Sequence, residues 1–240
     1  MSEKFKRVLL KVSGEALRSE SGKQIFEPEL LDELAEAVKT LVNEGIQACI
    51  VVGAGNIWRG NRAHLLGMDG ADADDMGMLG TIINALAIQA VLKKHGLKAK
   101  AFSSVPCPKF IDYYTKRDAV RALEEGYVCV FGGGTSNPFF TTDSAAALRA
   151  LEVGCDAILM AKAGVEGVFT ADPRKDPTAK LIRQTTYQEI LDRGIKVMDA
   201  TAAGLLLDSD IVTRVFEMVP SNFVAVAEGS SIGTTVKKSW

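Results

Sequence analysis

The chain has 240 residues, 47% hydrophobic and 24% charged, a balance that suits a globular protein with a large core. Its 28 basic and 30 acidic residues leave a net charge of −2, so no long-range field recruits nucleic acid or a membrane surface, and any anion must be held locally. Four cysteines without CxxC spacing and only two histidines, His64 and His95, argue against a zinc or redox centre and for reduced thiols packed in a core.

The first residues, MSEKFKRVLL, lack a long apolar segment, and no apolar run approaches the ~20 residues of a membrane span; a cytoplasmic protein is expected. Residues 5–12, FKRVLLKV, read as a strand broken by Ser13-Gly14, and residues 15–27 are polar and loop-like. From 28 to 44, Leu30, Leu31, Leu34, Ala37, Val38, Leu41 and Val42 recur at helical spacing, with Pro28 near the first turn and Gly45 past the last. Residues 46–52, IQACIVV, form the continuous apolar run of a strand covered on both faces of a parallel sheet. A glycine turn, GAGNIWRG at 53–60, and a long polar segment carry the chain to Asp74, and a helix is predicted over 75–94. A strand at 98–105 is followed by a loop confined by Pro106 and Pro108, then a short helix at about 116–125 and a strand at 127–131.

The next stretch, GGGTSNPFFTTDSA at 132–145, has the outline of an anion site. Its glycines let the backbone approach a ligand closely, and Thr141 and Thr142 stand just before a helix, where unpaired N–H groups and the helix dipole favour a phosphate. A capped helix after a glycine turn would use the same residues. Beyond it, 156–162 reads as a strand, 163–177 as a long loop with two prolines, 187–193 and 198–207 as helices, and 211–219 as a strand before a short tail ending near 233–236. With no repeat, low-complexity tract or linker, the alternation predicts one domain over 1–240: a three-layer α/β/α sandwich with a mainly parallel central sheet.

Three predicted strands end in glycine turns: LLKVSG at 9–14, VVGAGN at 51–56 and VFGGGT at 130–135. Ligands of an open parallel sheet bind beyond the carboxyl ends of its strands, so these turns can share one crevice. Lys11 can place a point charge on a phosphate, and Arg59 offers a planar fork for a second, although either alone would ordinarily be a solvated surface charge. No GxxxxGK[ST] motif occurs, and the third glycine of a dinucleotide fingerprint starting at Gly53 would fall on Trp58.

LLKVSGEAL at 9–17, VVGAGNIWRG at 51–60, DDMGMLGT at 74–81, GGTSNPFFTTDSAA at 133–146 and GVEGVFTADPRKDP at 164–177 resemble, in order and spacing, the bacterial uridylate kinases of the amino-acid kinase family. The resemblance covers nearly the whole chain. It implies transfer of the γ-phosphoryl group of ATP to UMP with Mg²⁺, in pyrimidine nucleotide biosynthesis, by a homohexamer inhibited by UTP and in many members activated by GTP. It implies that Lys11, Val12, Ser13 and Gly14 lie on the ATP phosphates, with Gly55 and Arg59 beside the transferring group, and Ala163, Phe169 and Asp172 near the adenosine. UMP would be met by Ala54, by Asp74 at the ribose, and by Thr135, Ser136, Asn137, Pro138, Phe139, Phe140, Thr141 and Thr142. Asp143 would orient Lys11, and Lys11, Arg59 and Asp143 would form the catalytic set; the magnesium ligands stay unassigned. Ala54 stands where a third glycine is usual, and Ala163 replaces a polar residue that typically contacts adenine.

Taken as isolated residues, Asp74 would more readily be a helix cap, Asp172 before Pro173 could be only a turn residue, and Phe139 and Phe140 could be core. Two alternatives stay open: a relative acting on a carboxylate, carbamate or isopentenyl phosphate, and a nucleotide-binding regulator without turnover. A phosphate acceptor is already ionised near neutral pH, so a site without a catalytic histidine or cysteine is chemically coherent for the uridylate kinase resemblance.

Overall fold

A computed structural model describes residues 4–19, 22, 24–60, 66–162, 165–171 and 176–240. Its strands are β1 (Arg7–Val12), β2 (Gln47–Val52), β3 (Ala99–Ser103), β4 (Asp112–Tyr113), β5 (Val128–Gly132), β6 (Ala157–Lys162), β7 (Val168–Phe169), β8 (Leu181–Ile182), β9 (Gln184–Thr186), β10 (Val212–Glu217) and β11 (Thr234–Lys237). Nine of these form one sheet in the order β4-β3-β5-β2-β1-β6-β10-β11-β9, parallel throughout except for the β10–β11 pair, while β7 and β8 make a separate antiparallel hairpin. The helices are α1 (Pro28–Asn43), α2 (Gly70–Lys94), α3 (Lys116–Glu124), α4 (Thr142–Val153), α5 (Tyr187–Arg193), α6 (Ala200–Leu206) and α7 (Pro220–Ala227), with a short 3₁₀ turn at Gly14–Leu17.

Alternation along each strand splits the core into two layers. Val8, Leu10 and Val12 of β1 face the layer built with α1, α2 and α7, whereas Leu9 faces the layer built with α3, α4, α5 and α6. Lys11, next but one after Leu9, therefore projects to the α4 side where the strand ends. The central strands are buried on both faces, which is why they read as unbroken apolar runs. The three-layer, mainly parallel architecture expected from the alternation is the one observed.

Several boundaries differ from expectation for physical reasons. α2 starts at Gly70 rather than 75, because Asp69 caps it by accepting the Asp72 N–H at 2.9 Å; Asp74 lies inside the first turns and is not the cap. At 25 residues α2 has the length and apolar composition of a membrane-crossing helix, contrary to the expectation that no stretch comes close. Here it packs on the sheet, and its Asn84 and Thr81 side chains are hydrogen-bonded inside the protein. The strand expected to 219 stops at Glu217, and Pro220 opens the unanticipated α7. The expected tail contributes β11, and β9 beside it extends the sheet. The four cysteines are free; Cys49 and Cys155 lie with their sulfurs 3.6 Å apart, and burial pushes the Cys49 thiol well up and the Cys129 thiol up to about 12.

Candidate active site

The carboxyl ends of β1, β2 and β5 lie side by side at the middle of the sheet, and their glycine turns pack against one another. The Gly53 N–H donates to the Val12 carbonyl at 3.0 Å. A Cβ on Gly14 would sit 2.5 Å from the Gly53 oxygen and 2.6 Å from the Gly55 nitrogen, so only glycine lets the two turns meet. Beneath them Asn84 of α2 donates to the Gly53 carbonyl at 2.7 Å and exchanges two hydrogen bonds with Asn56 at 2.7 and 3.0 Å. This buried amide pair fixes the second turn from below.

Lys11 Nζ lies 2.8 Å from Asp143 Oδ1, with 22% and 19% of the two side chains exposed, enough for a ligand to reach the ammonium. Asp143 Oδ1 is shut off from solvent and makes no hydrogen bond of good angle, so this close ion pair is its electrostatic compensation. Asp143 stands in the first turn of α4, where Thr141 caps the helix by accepting the N–H groups of Asp143 at 3.0 Å and Ser144 at 3.4 Å. Thr141 and Ser144 in turn donate through their hydroxyls to Asp199, which also caps α6 by accepting the Ala202 N–H at 2.8 Å. One carboxylate thus joins the starts of two helices.

The loop between β5 and α4 curls over a cavity of about 220 Å³. Gly133 takes a positive φ of 77° there, and its N–H donates to Thr81 Oγ1 at 2.8 Å. Ser136 and Phe139 adopt left-handed backbone conformations, φ 64° and 69°, unusual for residues with a side chain. The Phe139 N–H donates to Asp74 Oδ2 at 2.7 Å, and Thr135 and Asn137 bond reciprocally within the loop. Ala54, Asp74, Thr135, Asn137, Phe140, Thr141 and Thr142 line the cavity; Ser136, Pro138 and Phe139 belong to the loop but not to that lining, and the Phe139 ring is 77% exposed rather than core.

Arg59 Nη2 pairs with Glu15 Oε1 at 2.6 Å, and Glu15 also approaches Gly55, so this cation rests against the first glycine turn. Phe169 lies on β7, opposite Leu181 of β8. Ala163 and Asp172 fall outside the described residues. The structure therefore brings together Lys11, Val12, Ser13, Gly14, Ala54, Gly55, Arg59, Asp74, Asp143 and the loop from Thr135 to Thr142 at one end of the sheet.

Sequence reasoning passed over Glu15, Thr81, Asn84, Arg149 and Asp199. Asn84 carried a usable signal, a lone amide in the apolar run IINALAI. Arg149 is buried at the cavity wall against the Tyr114 ring, 4.0 Å from its centroid, a contact invisible without the fold, although its i,i+3 pairing with Glu152 on α4 is a local pattern.

The chain matches the Amino acid kinase family over residues 6–217. It is similar to the UMP kinase from Bacillus anthracis at 38% identity, over 99% of this chain and 98% of that one, with a TM-score of 0.96. A second similar structure, the UMP kinase from Ureaplasma parvum, shares 36% identity over 98% of this chain and 100% of its own, with a TM-score of 0.91. The uridylate kinase from Archaeoglobus fulgidus follows at 28% identity and a TM-score of 0.74, covering 95% of this chain and 99% of that one. Family match, near-complete coverage and shared architecture agree: the chain belongs to the amino acid kinase family.

Proposed function

We propose that this protein transfers the γ-phosphoryl group of ATP to UMP, giving ADP and UDP. The observation that carries it is the placement of the Lys11–Asp143 ion pair beside a cavity lined by Asp74, Thr135, Asn137, Phe140, Thr141 and Thr142, in a chain 36–38% identical over nearly its full length to two UMP kinases.

The donor's phosphates lie on Lys11, Val12, Ser13 and Gly14, with Gly55 and Arg59 at the transferring group and Ala163, Phe169 and Asp172 toward the adenosine. UMP occupies the cavity, its ribose on Asp74, its base and phosphate under the loop from Thr135 to Thr142, and its phosphate near Ala54 and the start of α4. A UMP phosphate is largely dianionic at neutral pH, so no side chain has to remove a proton from the nucleophile. The protein's task is alignment and neutralisation of a charge-dispersed transition state. Lys11 supplies a fixed positive charge, held in place by Asp143, and Arg59 a second that must turn from Glu15 toward the phosphates.

Among the described residues no group of three acidic, histidine or cysteine side chains is arranged to hold a metal ion. That donor set fits a magnesium ion that would be carried chiefly by the nucleotide phosphates and would supply positive charge to them. The same resemblance extends the proposal to a single catalytic domain over 1–240, a hexameric assembly in the cytoplasm, a place in pyrimidine nucleotide biosynthesis, inhibition by UTP and activation by GTP.

A coupled ADP-release assay with ATP and Mg²⁺ tests the acceptor, offering UMP, CMP, AMP, GMP, acetylglutamate, aspartate and isopentenyl phosphate in turn. Turnover confined to UMP is expected. Turnover with a non-nucleotide, or none with any acceptor despite ATP binding, contradicts the proposal.

A further inference from the structure

Lys11 has a neighbour that none of the expected site residues includes. In the sheet register Lys11 of β1 stands opposite Met160 of β6. Lys162, two residues on, therefore projects from the same face as Lys11, at the carboxyl end of the adjacent strand. Glu217 of β10 stands opposite Lys162, and Asp143 comes down onto the same face from the first turn of α4. Lys162 Nζ donates to the Val197 carbonyl at 3.1 Å, two residues before the Asp199 that ties α6 to α4.

Among the described residues no carboxylate lies within 4 Å of the Lys162 ammonium, although the side chain is mostly withdrawn from water. A buried ammonium bonded to one neutral carbonyl is costly unless negative charge lies close by. Asp199 is engaged by Thr141, Ser144 and the α6 N-terminus, and the carboxylate whose charge acts on Lys162, ahead of Glu217, is the Asp143 that pairs with Lys11. Two ammonium groups around one carboxylate give a local charge of about +1 where the helix dipole of α4 is also positive. Excess positive charge at a helix N-terminus suits a polyphosphate.

We propose that Lys162 is a positioning residue for phosphoryl transfer: its charge acts on the Asp143 carboxylate at longer range from the β6 side while Lys11 pairs with it directly from the β1 side, leaving one uncompensated positive charge for the nucleotide phosphates. The proposal rests on phosphoryl transfer from ATP being the chemistry of this site. Lys162 acts through Asp143 and Lys11. Removing it leaves Lys11 and Asp143 as a simple neutral pair, weakening the grip on ATP and slowing transfer. Burial is the largest influence and pushes the Lys162 ammonium below its usual 10.5; the Asp143 carboxylate opposes it, and the Lys11 charge adds a smaller push in the same direction as burial. Loss of its proton on the alkaline side should therefore cost activity before an ordinary lysine would titrate.

The test compares wild type, Lys162→Met and Lys162→Arg, all checked for cooperative thermal unfolding. ATP affinity is measured by calorimetry without acceptor, and kcat and KM with UMP between pH 7 and 10. Lys162→Met is expected to bind ATP at least about fivefold more weakly and to lose on the order of tenfold in kcat, with KM for UMP within about twofold. Lys162→Arg should recover most of both losses and flatten the alkaline limb of the wild-type profile. Wild-type ATP affinity and kcat in a folded Lys162→Met overturn the proposal, as does an arginine variant no better than the methionine one, which would mark a packing role. If wild type binds ATP but does not phosphorylate UMP, the acceptor assignment fails, while the ATP affinities of the variants still decide the role of Lys162.

Discussion

The carboxylate of Asp74 accepts the backbone N–H of Phe139 at 2.7 Å, tying α2 to the cavity loop across 65 residues of sequence. Phe139 holds a left-handed conformation that costs an ordinary residue of order 1–3 kcal/mol, so the tether offsets strain stored where UMP is proposed to bind. Asp74→Ala should release the loop and remove the proposed ribose contact together. The expected result is a KM for UMP raised about tenfold with KM for ATP within about twofold. An unchanged KM for UMP would separate Asp74 from that substrate.

Gly14→Ala should disable the site by geometry alone. Its new Cβ would meet the Gly53 carbonyl and the Gly55 nitrogen, backbone atoms that cannot rotate away. Forcing the two turns apart should cost about 1–3 kcal/mol of stability and most of the activity. Thermal melting and turnover of the same preparation check this, and a variant with both at wild-type values would contradict the close packing of the turns.

In the proposed donor site Glu15 would compete with phosphate for Arg59. The pair is exposed, so its strength is modest and salt-sensitive. Glu15→Gln should tighten ATP binding about two- to fivefold at low ionic strength, with the advantage fading at high salt. Weaker ATP binding in Glu15→Gln would instead mean that Glu15 holds Arg59 in its working position.

A pH-dependent contact joins α1 to α2 away from the site. His95 Nε2 meets Asp32 and Nδ1 meets Glu36, both at 2.7 Å. The hydrogen bond to Asp32, then that to Glu36, raise the His95 pKa above 6.5, while the same contacts hold Asp32 below 3.8 and Glu36 below 4.5. The histidine's contribution is fully present below 6.5 and is lost as pH rises through its raised value. The carboxylates contribute above their ordinary values and lose that contribution as pH falls through their lowered ones. The contact is therefore strongest between about pH 4.5 and 6.5. The Tm difference between wild type and His95→Gln should shrink from pH 6 to pH 8.5; a constant difference would contradict the linkage.

Much of this architecture is legible in the chain because its signals are local. Residues 187–193 were expected to be helical and are, because Thr186 and Glu189 form a capping box and Gly194 ends the turn in a left-handed conformation. The buried runs of β1, β2, β5 and β6 and the glycine turns after β1, β2 and β5 point to a crevice at their carboxyl ends. Strands β4, β7, β8 and β9, two or three residues long, are too short for periodicity to register. The early start of α2 was hidden in a run with four aspartates, DGADADD, where only the fold shows that Asp69 caps and Asp74 faces the loop. The links from Asn84 to Gly53, from Asp199 to Thr141 and from Lys162 to Val197 each join residues at least 31 positions apart, and no local pattern announces such a partner.

Transfer of labelled γ-phosphoryl from ATP to UMP, compared between wild type and Lys11→Ala, decides whether the ion pair at the end of β1 drives the reaction. Wild type should produce labelled UDP, and Lys11→Ala should do so at least about a hundredfold more slowly, because the removed charge acts on the transition state. Labelled UDP formed by a folded Lys11→Ala at the wild-type rate would contradict the mechanism.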